Sequence, residues 1–140
     1  MAKKQASPAR KPNPSAEHPC VELSEGVARY LMAISDLDRG EEKPTQAMLA
    51  RELDVSQPSA LEMVRRLREM GLVEEKGLTL TAAGTSAALV LTSRRNAARD
   101  LTSEILGLDP DDAGVEAEHL ASSASPELGR KLVAWRASRG

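Results

Sequence analysis

The sequence predicts a mainly α-helical protein. Aromatic residues are nearly absent from its 140 positions, with no Phe and only Tyr30 and Trp135, so the core falls to Leu, Val, Ala and Met. Such a core favours helices over a β-sandwich. Apolar residues recur at helical spacing along most of the chain beyond Val21, and Pro, Gly, Ser and Asp interrupt those runs where helix starts and stops belong. At 41% hydrophobic positions the chain can build one compact unit, or two small lobes sharing a helix, and not separate cofactor and substrate domains.

Residues 1–20 are expected to form a disordered basic tail. Lys3, Lys4, Arg10 and Lys11 stand there against Glu17 alone, and prolines at 8, 12, 14 and 19 break the segment. Two uses fit it: a solubilising leader, or an arm that follows DNA phosphates and adds salt-dependent affinity. From Val21 to Asp38 the apolar residues Val27, Tyr30, Leu31, Ile34 and Leu37 mark a first helix, closed by Arg39-Gly40. Pro44 opens a second helix that reaches Leu53, and a turn follows through Asp54-Val55. Ser56 takes the N-cap position of a third helix with Pro58 in its first turn and Gly71 past its end. Residues 72–81, LVEEKGLTLT, read as two short β-capable runs around a Gly-containing turn. Helix, helix, turn, helix and hairpin in this order predict a winged helix-turn-helix unit over 21–81.

Residues 82–140 predict a helical dimerisation domain. A long helix from Ala82 to Leu106 carries Ala87, Ala88, Leu91, Ala98, Leu101 and Ile105 on one face, and a second copy of the chain is the simplest partner for that face. Asp109-Pro110 starts a fifth helix containing VEAEHL, residues 115–120. Ser125-Pro126-Glu127 starts a sixth, whose Leu128, Leu132, Val133 and Trp135 are placed to pack back.

In the middle unit, Leu49, Ala50, Leu53, Val55, Ala60 and Met63 are expected in the core between the two crossing helices. Ser56, Gln57, Ser59, Glu62, Arg65, Arg66 and Arg68 are left on the exposed face. With Pro58 they surround a helix N-terminus of the kind that enters a major groove, the polar side chains toward base edges and the arginines toward phosphate. Lys76 is what the short wing offers a minor groove. Double-stranded DNA is the partner this pattern predicts, although a net charge of −2 supplies no global basic signal. A second reading stays open: a winged-helix protein-interaction or antirepressor module without specific DNA binding. Catalysis is not expected, because no nucleophile triad or phosphate-cradling Gly motif is present. Cys20 is the only cysteine, which excludes internal disulfides and Cys-cluster metal sites. No apolar run reaches the length of a membrane span, and a cytoplasmic chain is expected.

YLMAISDL in the first helix, VSQPSALEMVRRLREMGLV, LTLTAAG after the wing and ILGLD followed by a Glu-His pair make the stretch from Val27 to Ala134 resemble a known family. This is the metal-dependent repressors of the diphtheria toxin repressor and manganese transport regulator type. The resemblance implies a repressor that binds a palindromic operator as a homodimer. It also implies a divalent metal, manganese or iron, held between the first, fourth and fifth helices by carboxylates, His and sometimes Met or Cys. Glu118 and His119 match that pattern as metal ligands, but Val115 stands where a third ligand is usual, the first helix offers Arg29 and Met32, and the fourth offers Arg95 and Arg99. Arginine has no lone pair to give a cation. Three expectations follow: Arg29 and Arg95 supply the charge a metal supplies in relatives, so that no cofactor is needed; or a relocated metal site recruits Glu116, His18 or Cys20; or Glu118 and His119 are a solvated pair.

Overall fold

The computed structural model describes residues 23–139, and their regular structure is helical. α1 spans Glu25–Asp38, capped by Ser24, whose hydroxyl accepts from the Val27 amide at 3.2 Å. That cap sets the start a turn later than Val21. α1 is buried on most of its faces, through Val27, Ala28, Tyr30, Leu31, Met32, Ala33 and Ile34, because it runs between the next two helices on one side and the C-terminal helices on the other.

α2 (Gln46–Leu53) starts at the Thr45 cap, the residue after Pro44, so the helix itself begins two residues beyond the proline. It stops at Asp54, which adopts the left-handed conformation (φ 57°) and lets the Val55 amide donate to Ala50 at 3.0 Å. α3 (Gln57–Glu69) follows at the Ser56 cap. Leu49 and Ala50 meet Ala60, Val64 and Leu67 across the turn, all fully or nearly fully buried.

The expected hairpin is reduced to a single antiparallel bridge, Val73 with Leu80, supported by bonds from the Glu74 amide to Thr79 and from the Thr81 amide to Leu72. The ladder cannot lengthen, since Gly71 ends α3 just before it and Thr81 caps the next helix just after it. Arg68 pins this wing: its Nε donates to the Glu74 carbonyl and its Nη2 to the Gly77 carbonyl, both at 2.7 Å. This corrects the expectation that Arg68 stands free to meet phosphate.

α4 (Ala82–Asp100) continues into a π-helical turn, Leu101–Ile105, where the Leu106 amide reaches back to Leu101. α5 spans Pro110–Ser123 and α6 Pro126–Ser138, capped by Asp109 and Ser125. Most of the apolar face expected of this long helix is covered within the chain, and of its residues only Ile105 is left exposed. Ala87 and Leu91 join the α1–α3 core, while Ala97 and Ala98 form a second cluster with Ala117 and Leu132. Ala113, Ala117 and Ala121, spaced by four, let α5 approach α4 closely enough to cover it. Leu128 and Val133 stay exposed where packing was expected, whereas Leu132 is buried and Trp135 lies half-buried beneath Arg139, whose guanidinium is 4.8 Å from the ring. Gly129 lets α6 pass close to Arg94, since a methyl group there would require the buried guanidinium to shift.

Candidate functional site

Two regions carry charged and polar side chains in a non-random arrangement. The first is the outer face of α3. Ser56, Gln57, Pro58, Ser59, Glu62, Arg65 and Arg66 are all exposed, as is Lys76 on the wing. The Ser56 hydroxyl accepts from the Ser59 amide at 3.1 Å and is bonded to the Ser59 hydroxyl at 2.9 Å, so these two define the rigid start of the helix. Glu62 and Arg65 form an exposed ion pair at 2.6 Å on the same face. Arg66 and Lys76 have no ion-pair partner among the described residues.

Because Arg68 ties α3 to the wing, an Arg68→Ala protein should lose about 1 kcal/mol of stability, the net worth of exposed hydrogen bonds from a charged donor. Amide exchange at Glu74 and Thr81 should quicken in it while α1 amides keep their protection. Unchanged exchange at those wing amides would show that the bridge holds without the guanidinium.

The second region joins three helices. Arg95, 6% exposed, projects from the middle of α4 toward the last turn of α1 and the middle of α5. Its Nη1 and Nη2 donate to the two carboxylate oxygens of Asp36, both at 2.9 Å, and Nη1 also donates to Glu118 Oε2 at 2.8 Å. Two parallel bonds to one carboxylate are the geometry a planar guanidinium fits best. The bonds to Asp36, with those to Glu118, hold the Arg95 ionisation well above its ordinary value, outweighing the opposing effect of burial. Its Nε alone is buried without a partner among the described residues.

Beside this junction lies a cleft of about 500 Å³ whose polar lining includes Glu25, Arg29, Asp36, Glu52, Glu118 and His119. Arg29 was expected to share the tie, but the structure sets it exposed on the cleft wall, with no ion pair among the described residues; the helix direction turns it outward while Tyr30, Leu31 and Met32 face in. Met32 is buried in the core and cannot reach the cleft, Val115 lies exposed at its edge, and Arg99 points away, bonded to Asn96. His18 and Cys20 lie outside the described residues.

A divalent metal does not fit the described side chains. No group of three or more His, Cys, Asp or Glu is brought together in the described residues in a way that could hold an ion. The one carboxylate that α5 contributes to the cleft, Glu118, is already engaged by a guanidinium. Two ligands rarely make a tight transition-metal site. Asp36 is the residue that reasoning on the sequence passed over. It lies in SDLD at the end of the first helix, where an acid reads as ordinary surface, and only its distance to Arg95 gives it a role.

A short-winged helix-turn-helix with an open recognition helix, braced by antiparallel helices, defines the class of winged-helix DNA-binding proteins. Residues 22–78 match the family profile of the iron dependent repressor, N-terminal DNA binding domain. Residues 22–78 thus place this unit in the family of the diphtheria toxin repressor and the manganese regulators. It is 30% identical over 115 residues to the iron-dependent repressor IdeR of Mycobacterium tuberculosis, covering 80% of this chain and 50% of that one. It is 35% identical over 101 residues to the transcriptional regulator MntR of Escherichia coli, covering 70% of this chain and 64% of that one. A manganese-dependent transcriptional repressor, solved in complex with manganese, superposes with a TM-score of 0.71 at 32% identity, over 77% of this chain and 51% of that chain. The chain thus spans about half the length of the iron-dependent repressors it matches. No helix among the described residues is long and apolar enough to cross a membrane.

Proposed function

We propose that the chain is a DNA-binding transcriptional repressor that recognises a palindromic operator as a homodimer and needs no metal to do so. The observation that carries the metal independence is the Arg95 junction. A metal joining the first, fourth and fifth helices would orient the DNA-reading unit against the C-terminal helices, and a guanidinium bonded at once to Asp36 of α1 and Glu118 of α5 supplies that link permanently. Recognition then rests on Ser56, Gln57, Pro58, Ser59 and Glu62 toward base edges, with Arg65, Arg66 and Lys76 toward phosphates. The second copy has Leu89, Ile105, Leu106, Leu128 and Val133 to cover, the large apolar side chains that the C-terminal half leaves exposed away from the cleft.

Operator fragments selected with the purified chain, titrated in parallel in chelator and with manganese, iron(II), cobalt or zinc, test both parts. Binding in chelator should equal binding with each metal to within about twofold, well under 1 kcal/mol. A tightening of roughly tenfold or more on adding one metal, together with calorimetric binding in the micromolar range, would refute the metal-independent reading. Absence of any sequence-specific shift at moderate salt would instead favour the protein-interaction module.

A further inference from the structure

We infer that Leu61 is a base-reading residue, an apolar seat for the C5-methyl group of a thymine in each half-site. The inference rests on the DNA-binding reading above. Pro58, Leu61, Glu62 and Arg65 follow one another at i, i+3, i+4 and i+7 and are all exposed, so they share one face of α3. That face is turned away from Ala60, Val64 and Leu67, which bury the other side of the helix. At 43% exposure Leu61 is a large apolar side chain held out among groups that are polar or charged.

A single exposed leucine is ordinary on a protein surface. This one stands one turn beyond Gln57 and one turn before Arg65, in the half of the helix that would lie deepest in a major groove. The thymine methyl is the apolar feature that base edges present there, and apolar contact with it favours T over C, whose C5 carries no methyl group. The neighbouring charges support the same reading. Glu62 and Arg65, which flank Leu61 on this face, pair with each other at 2.6 Å, so the carboxylate beside the leucine is balanced by a cation. The stem of Arg65 and the ring of Pro58 extend the apolar strip on either side.

Sites would be selected from a random duplex library with the full chain and with Leu61→Ala, and the selected thymines then replaced one at a time by deoxyuridine, which lacks the methyl group. With the parent chain, one thymine per half-site should be enriched, and its replacement by deoxyuridine should weaken binding about fourfold, the factor that burying one methyl group supplies. Leu61→Ala should lose the enrichment at that position and be indifferent to the replacement, while Leu61→Met, which keeps an apolar contact, should retain the deoxyuridine penalty. Equal deoxyuridine penalties in the parent and Leu61→Ala, or no thymine whose methyl matters to the parent, overturns the inference while leaving DNA binding intact. Failure of the parent to enrich any sequence overturns the DNA-binding reading itself and this inference with it.

Discussion

An Arg95→Met protein should unfold about 3 kcal/mol more readily than the parent, the lower end of what removing one partner from a buried ion pair costs. The figure takes the lower end because the Asp36 and Glu118 side chains remain 34% and 44% exposed, so water can solvate part of the charge left behind. Methionine fills most of the stem volume, and the loss therefore reports the guanidinium rather than a cavity. The two carboxylates, drawn together only by the cation between them, would repel each other across α1 and α5. Urea unfolding with an unchanged m-value measures this directly, and a loss below about 1 kcal/mol would show that the junction is no more than a surface ion pair. Arg95→His sharpens the test. Imidazole beside Asp36 and Glu118 adds a nitrogen donor to two carboxylates, so this variant should gain thermal stability on adding zinc or cobalt while the parent gains none. If the parent is stabilised as strongly as Arg95→His, the guanidinium does not stand in for an ion.

The second large effect is expected at Gly84. This residue lies in the first turn of α4, against the base of the wing, and a methyl group built there falls well inside contact distance of the Leu72 carbonyl oxygen. That oxygen already accepts from the Thr81 amide at 3.0 Å, the bond that closes the wing. Backbone cannot rotate aside as a side chain can, so Gly84→Ala must either break this bond or push α4 away from Leu72, Val73 and Leu80. A loss of about 3 kcal/mol is expected, at the upper end for overpacking, even though alanine is the better helix former. Gly114, whose added methyl group meets nothing within 4 Å, is the internal control: Gly114→Ala should stabilise α5 by roughly 0.5–1 kcal/mol. Equal responses at the two positions would mean that helix propensity and not the approach of the wing governs Gly84.

Much of this architecture is written in short stretches of chain. Ser56, Asp109 and Ser125 each announce the helix they cap, and in the structure each accepts from an amide three residues on. Leu49, Ala50, Ala60, Val64 and Leu67 announce the helix crossing by spacing alone. The wing is legible in outline but not in extent, since β-capable residues say nothing of how little room Gly71 and Thr81 leave between two helices. The α4 stripe misleads for a related reason. A face rich in alanine is equally suited to a second copy and to the chain's own α5, and composition does not distinguish them.

The candidate site divides in the same way. That arginines occupy positions at which a cation would need donors can be read from residue types, because a guanidinium lacks lone pairs in any fold. Which arginine acts cannot. Arg29 and Arg95 are the same side chain on two helices, and one points to solvent while the other is buried between two acids.

Helix order, caps and the exposed face of α3 were settled by the chain itself, for they depend on neighbours three or four positions away. The carboxylates that meet Arg95 and the layer that covers α4 were settled only by the folded packing. Asp36 is 59 residues from Arg95 and Glu118 is 23, and no local preference records which distant groups three helices will bring within a hydrogen bond of each other.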